Sequence, residues 1–382
     1  MASITLPVSR TTVLMYAHPS MHNLASSIVK VCTDPASLGD LCSRSDQGAA
    51  LLTPKTSFTC EDFKNEQLGL AELSTSLSAS RYASAPRKVL FKDDIKWEHF
   101  ADGFPKLFID NVKNLAGRDV IFIGSFHSPD AIFEQLSVIY AIPRYLARSV
   151  IFILPFFPTG TMERVDREGQ IATAKTLATL LSNIPLTARG PTQIMLFDIH
   201  ALQERFYFSD TVIPRLETAI PLLLRKLKML PHKSNISIAF PDDGAMKRFG
   251  DMFSDYKTII CAKVRNGDQR NVVVKDGDPS GQDIIIVDDL VQTGGTLIEC
   301  AKACLSKGAK QISCFVTHAV FPNNSWSKFT HESQHQVRFE EFWITDSIPH
   351  SAEIVKHAPF QLLSLCDVIA DRLLGYDLVP SI

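Results

Sequence analysis

The sequence predicts an α/β protein with two similar domains, each a mostly parallel sheet flanked by helices. Apolar, β-branched runs of strand length recur at Val150–Leu154, Ile194–Phe197, Ile236–Phe240 and Asp283–Val287, as expected for strands covered on both faces. Stretches with helical character alternate with them, which argues for parallel pairing through crossovers. The chain also echoes itself. Gly117-Arg118-Asp119 leads into VIFIGSF, and Gly281-Gln282-Asp283 leads into IIIVDDL, a weak internal duplication.

With 382 residues the chain is long enough for two domains and a large core. Its 39 basic and 41 acidic side chains are scattered, so no nucleic-acid surface is expected. The eight cysteines include no CxxC pair, which fits reduced thiols and a cytoplasmic location. Runs such as Val150–Phe157 are far too short to span a bilayer. The opening MASITLPVSR lacks the long apolar stretch of a secretory signal, while a short organelle transit peptide stays open.

Taken in order, Thr12–Ala17 reads as a strand and Met21–Val31 as a helix. Between about 33 and 87 no period persists, and Ser74, Ser76, Ser78, Ser80 and Ser84 crowd together, so a partly disordered surface insertion is expected. Lys88–Phe91 resumes the pattern. Phe100-Ala101-Asp102-Gly103-Phe104-Pro105 reads by itself as a hairpin turn. After VIFIGSF, the loop Ser125–Pro129 can grip an anion, and a helix is expected over Ala131–Tyr140. Arg164, inside the cluster Glu163-Arg164-Val165-Asp166-Arg167-Glu168, reads by spacing as part of a solvated face. Ile194–Phe197 ends in Asp198-Ile199-His200-Ala201, which places His200 where open α/β sheets bind ligands.

A second domain is expected from about Arg215. Ile236–Phe240 runs into Pro241-Asp242-Asp243-Gly244-Ala245, with Asp243 a candidate helix cap before a helix Met246–Phe253. The strand Thr258–Ala262 leads to Lys263 and Arg265, which at i and i+2 can reach one phosphate together, or else guard a strand edge. A flexible loop Asn266–Asn271 is expected next. Later elements are a strand Ile312–Thr317 with His318 at its end, a strand Phe342–Thr345 and a terminal helix Leu365–Leu374.

The most informative stretch is Asp283–Thr296, DIIIVDDLVQTGGT. A strand ends in Asp288 and Asp289, then comes a turn of Gln292, Thr293, Gly294, Gly295 and Thr296, then a helix over Leu297–Lys307. Glycines let backbone N–H groups converge, the threonine hydroxyls add donors, and the helix N-terminus favours negative charge, so the turn suits a phosphate monoester. The carboxylates before it suit sugar hydroxyls, met directly or through hydrated Mg2+. No Walker A pattern occurs.

VDDLVQTGGT resembles the ribose 5-phosphate loop of ribose-phosphate pyrophosphokinases (PRPP synthetases), which carry two phosphoribosyltransferase-type domains. The order FADG, DIHA, PDDGA, KVR and VDDLVQTGGT matches the family's order along its chain. By resemblance, Phe100, Asp102 and Phe104 contact ATP from a neighbouring subunit, with Arg164 on its phosphates. His200 and Asp242 serve the metal, and Lys263 and Arg265 are catalytic. Asp288, Asp289, Gln292, Thr293, Gly294, Gly295 and Thr296 hold ribose 5-phosphate. The implied enzyme uses Mg2+, takes ATP and ribose 5-phosphate as substrates, works as a homo-oligomer with a shared nucleotide site, and supplies PRPP for nucleotide, histidine and tryptophan biosynthesis. The implied division is 1–214, 215–347 and a returning C-terminal helix 348–382.

Phe104 stands where the common class has an acid, FFPTGT replaces a YARQDR-type loop, and Gln292 replaces an Asp. These departures resemble the divergent, plant-type, phosphate-independent class. A catalytically silent regulatory subunit and a phosphoribosyltransferase that consumes PRPP are the competing expectations.

Overall fold

The computed structural model describes residues 12–33, 87–230, 235–266, 269–333 and 337–378. The first half opens with β1 (Val13–Ala17), α1 (His22–Thr33) and β2 (Val89–Phe91). A hairpin of β3 (Ile95–His99) and β4 (Pro105–Ile109) follows. Next come β5 (Asp119–Ile123), α2 (Pro129–Arg144), β6 (Ser149–Ile153), α3 (Thr173–Ser182), β7 (Thr192–Phe197) and β8 (Val212–Glu217). The strands outside the hairpin form a six-stranded sheet, β2-β1-β5-β6-β7-β8, with every pair parallel. The serine-rich stretch expected to be an insertion lies, from 34 to 86, outside the described residues.

After α4 (Ile220–Met229), the second half runs β9 (Ile236–Phe240), α5 (Asp243–Phe249), β10 (Lys257–Asn266), β11 (Gln269–Asp276), β12 (Asp283–Val291), α6 (Gly295–Ser306) and β13 (Gln311–Ala319). It closes with β14 (Phe342–Ile344), α7 (Ser351–Ile354), β15 (Phe360–Leu362) and α8 (Cys366–Arg372). Its seven-stranded sheet, β11-β10-β9-β12-β13-β14-β15, is parallel except for the β10–β11 pair.

Strand periodicity sorts the core. In β5, Val120 and Phe122 pack under α2 and α3, whereas Ile121 and Ile123 face the opposite way. That second face belongs to a hydrophobic cluster that continues through α1, α4, α5 and α8 to Ile285, Val287, Phe315 and Trp343 of the other sheet. The two sheets therefore close on one shared apolar layer. Each fully buried Phe or Ile in it contributes roughly 1.5–3 kcal/mol.

Four expectations are corrected. The boundary at 214/215 falls inside β8, because Pro214 and Arg215 pair with Ile194 and Met195 of β7. The C-terminal segment 348–382 is not one helix: α7, β15 and α8 divide it, and β15 completes the second sheet before α8 packs against α1. The acidic pair lies within β12, which stays in register with β13 as far as Val291 and Ala319. The loop expected over Asn266–Asn271 is largely strand, since the β10–β11 ladder extends to Asn266 and Gln269.

Candidate active site

The carboxyl ends of β7, β9 and β12 open into one cavity of about 780 Å3, the position where open α/β sheets gather ligands. Thr161, His200 and Gln203 line it from the first half of the chain. Asp242, Arg248, Asp288, Asp289 and Gln292–Thr296 line it from the second.

Consecutive residues of a strand point to opposite faces, so the acidic pair is split between two environments. Asp288 is half-buried, while Asp289 is 5% exposed. Asp289 Oδ2 lies 2.7 Å from His200 Nδ1, and its Oδ1 accepts the Leu290 N–H at 2.7 Å. Asp288 Oδ1 accepts the Asp289 N–H at 3.0 Å. Burial, reinforced by the charges of Asp289 and Asp242, pushes Asp288 well above the ordinary carboxylate range. Burial also works against ionised Asp289, yet the His200 hydrogen bond and the charges of His200 and Arg248 outweigh it and hold Asp289 low. The same hydrogen bond raises His200. Asp288 is thus the member of the pair that gains most from a cation or a hydroxyl donor.

Asp242 caps α5, accepting the Gly244 N–H at 3.0 Å and the Ala245 N–H at 3.1 Å. Asp243, the expected cap, instead takes Lys275 Nζ at 2.8 Å. The strand β9 simply ends one residue earlier than a cap at Asp243 would need.

The glycine turn sits at the N-terminus of α6. Gly294 has φ +78°, a conformation costly for other residues, and a Cβ there would lie 2.3 Å from Phe329 Cζ. Phe329 belongs to the helical segment Pro322–Phe329, which braces the turn from behind. From that segment Ser325 Oγ donates to the Gln292 carbonyl at 3.0 Å and Lys328 Nζ to the Thr293 carbonyl at 3.2 Å. Thr293 and Gly295 remain exposed on the open side, at the N-terminus of α6, where a helix favours negative charge.

Two residues that sequence reasoning missed, Asp198 and Arg248, hold the two halves at this point, and a third, Glu204, lies within the first half. Asp198 Oδ2 accepts the Ala219 N–H at 2.9 Å and the Thr317 hydroxyl at 2.6 Å. Arg248 donates to the Ile199 carbonyl and lies 3.8 Å from Asp198 Oδ1. Glu204 is buried below His200 with Oε1 on the Ala201 N–H at 3.0 Å, and burial pushes its carboxyl up to about 7. His318, one residue from the end of β13 as expected, donates Nε2–H to the Phe197 carbonyl at 2.9 Å. Only the first residue of the DIHA motif hinted at any of this.

Other expected residues stand elsewhere. Phe100 and Phe104, 55% and 64% exposed, flank the tip of the β3–β4 hairpin, where the Phe100 N–H meets the Phe104 carbonyl at 2.8 Å. Asp102 Oδ1 accepts the Phe104 N–H at 3.2 Å. None of the three lines the cavity of its own chain. Arg164 is an exposed member of a charge cluster, 3.4 Å from Asp166 and 3.9 Å from Glu163. The backbone puts Lys263 and Arg265 on the part of β10 beyond Ile260, where its described strand partner is β11 rather than β9.

Two family models match. Residues 90–184 fit the N-terminal domain of ribose phosphate pyrophosphokinase, and residues 241–340 fit the phosphoribosyl transferase domain. Ribose-phosphate pyrophosphokinase 4 of Arabidopsis thaliana is 52% identical over 281 residues, 73% of this chain and 83% of that one. The mitochondrial ribose-phosphate pyrophosphokinase 3 of Spinacia oleracea is 51% identical over 302 residues, 78% of this chain and 74% of its own. The crystal structure of phosphoribosylpyrophosphate synthetase from Mycobacterium smegmatis superposes with a TM-score of 0.66 at 20% identity, over 96% of this chain and 99% of that one. The expected two-domain phosphoribosyltransferase-type fold is thereby established.

Proposed function

The chain belongs to the ribose-phosphate pyrophosphokinase family, and from that premise we propose how its residues divide the work. The protein is an ATP-dependent diphosphotransferase that passes the β,γ-diphosphoryl group of ATP to the 1-hydroxyl of ribose 5-phosphate, yielding PRPP and AMP. The observation that carries the assignment of residues is that one cavity joins the glycine turn, the acidic pair and His200.

In this reading the 5-phosphate rests on the N–H groups and hydroxyls of Thr293–Thr296, with Gln292 beside the ring. Asp288 accepts from the ring hydroxyls. Asp289 has both oxygens engaged, so we assign it to orienting His200 rather than to the sugar. The carboxylates of Asp242 and Asp288 lie close enough for the Asp242 charge to help lift Asp288, a donor set that fits a hard cation. Asp242 and His200 would hold Mg2+ together with the nucleotide phosphates. When bound, the ion neutralises charge on the transferred diphosphate.

With the sugar fixed by its phosphate and its hydroxyls, O1 is aligned for in-line attack on the β-phosphorus, and AMP leaves. We place Lys263 and Arg265 on the charge that develops on the moving phosphates. Phe100, Asp102 and Phe104 would receive the base of a neighbouring subunit's ATP, with Arg164 near its phosphates, which makes the active form a homo-oligomer. The support is that Phe100 and Phe104 at the hairpin tip are exposed and do not line the cavity of their own chain.

Among the described residues no helix is long and apolar enough to cross a membrane. The described cysteines are buried free thiols, which supports a reducing compartment such as the cytoplasm. The Spinacia relative is named mitochondrial and one from Oryza sativa chloroplastic, so an organelle is the competing location.

The test is AMP release from ATP by the purified protein with Mg2+, with and without ribose 5-phosphate, and with no added inorganic phosphate. Sugar-dependent AMP is expected. If no AMP appears, the assay is repeated with phosphate present, and silence in both conditions would reassign the chain as a silent regulatory subunit.

A further inference from the structure

Beneath the phosphate turn, on the far side of the second sheet, three thiols meet. Cys261 comes from β10, and Cys300 and Cys304 come from successive turns of α6. All three are fully buried, at 0% exposure. Cys300 Sγ lies 3.4 Å from Cys261 Sγ, and the three sulfurs all fall within 4.8 Å of one another. The cavity chemistry described above makes no use of them.

Spacing separates the uses such a cluster can have. A disulfide joins two sulfurs at about 2.05 Å and leaves the third idle. A metal–sulfur bond of about 2.3 Å holds its sulfurs roughly 3.8–4.0 Å apart, in a trigonal or tetrahedral arrangement. The observed spacing brackets that range and involves all three. The surroundings are apolar, with Ala239, Ile259, Ile284 and Leu297 in the same hydrophobic cluster, so a neutral complex is favoured over a charged one.

We propose that Cys261, Cys300 and Cys304 form a binding site for a soft monovalent d10 cation of the copper(I) class. Sulfur ligands alone select such an ion over Mg2+. One proton leaves on binding: Cu+ and three thiols give one thiolate and two thiols around the metal, a neutral set. The Cys300 S–H points at the Cys261 sulfur, 3.4 Å away, so Cys261 is the member of the trio whose sulfur already accepts. Loading would clip β10, the strand that carries Lys263 and Arg265, to α6, the helix that follows the phosphate turn. The site thereby couples a soft metal to the two elements that frame the transferred phosphates.

The full-length protein, reduced and stripped with a copper(I) chelator under anaerobic conditions, is titrated with copper(I) in acetonitrile. Native mass spectrometry counts the bound ions, and thermal melting and hydrogen exchange at Cys261 and Cys300 follow the clip. We expect one tight equivalent per chain, a higher melting temperature and slower exchange at both positions. Cys300→Ala and Cys304→Ala, which remove a sulfur without adding a buried hydroxyl, should each lose that equivalent and the melting shift. Cys314→Ala, on the neighbouring β13, should keep both. Binding that survives in both α6 variants overturns the site, and so does a folded wild type that takes up no stoichiometric copper(I). A metal-free sample that loses two mass units to a Cys261–Cys300 disulfide on exposure to oxidised glutathione would also overturn it, in favour of a redox pair.

Discussion

His200 and Asp289 stand 89 positions apart, in different halves of the chain, and meet at 2.7 Å across the mouth of the cavity. The carboxylate takes Nδ1, which leaves Nε2 as the ring nitrogen available to a ligand. Carboxylate–histidine pairs of this kind fix the orientation and raise the basicity of a ligating ring.

Asp289→Asn should therefore lower turnover by about 10–100-fold, the range found for carboxylates that orient a ligand histidine. Steady-state kinetics beside circular dichroism separates this from misfolding. A folded variant with wild-type turnover would remove the pair from the mechanism.

Lys263→Ala should reduce kcat by about 100-fold or more, as expected when preorganised charge on a transferring group is lost. The KM for ribose 5-phosphate should move far less, because the glycine turn and Asp288 are untouched. Equal losses in kcat and in sugar binding would place Lys263 on the substrate rather than on the moving phosphates.

Gly294→Ala meets two obstacles at once. The residue sits at φ +78°, and the new Cβ would lie 2.3 Å from Phe329 Cζ. The backbone cost alone is about 1 kcal/mol, and the ring must move as well. Expected outcomes are a lower melting temperature and weakened ribose 5-phosphate binding by calorimetry. Adding Phe329→Leu should recover part of the melting loss, whereas no recovery would show that the ring is not the obstacle.

A site shared between subunits predicts complementation. Phe100→Ala/Asp102→Ala and Lys263→Ala proteins, each nearly inactive alone, should regain activity when unfolded and refolded together. Mixed assemblies then contain some sites with both intact parts. Mixtures no more active than their components, or an active monomer in sedimentation, would argue for a self-contained site.

Stability at acid pH should depend on Asp119. Although burial opposes its charge, the Arg148, Ser149 and Arg87 side chains hold the carboxyl well below the ordinary range. Arg148 Nε donates at 2.8 Å and Ser149 Oγ at 2.6 Å. A carboxylate with a depressed folded pKa lends stability that is complete above its unfolded value, about 4, and is lost as pH falls toward the folded value. Melting temperature should thus fall steeply below pH 4. In Arg148→Met, which removes one partner of the carboxylate, that acid limb should be shallower.

What the sequence determined is local. Continuous β-branched runs specify buried parallel strands, and the glycine pair specifies a tight turn at a helix start, because each follows from the chemistry of adjacent residues. The DG tip of the β3–β4 hairpin was legible for the same reason. Where β12 ends was not, since the register with β13 that carries it through Asp288 and Asp289 depends on a strand more than twenty positions away. The same holds for the His200–Asp289 pair, the Phe329 ring over Gly294, and the three thiols on β10 and α6. Periodicity states which face a residue occupies, whereas the element across that face is set by how the sheets and helices close on their shared apolar layer. Only tertiary packing could select those partners.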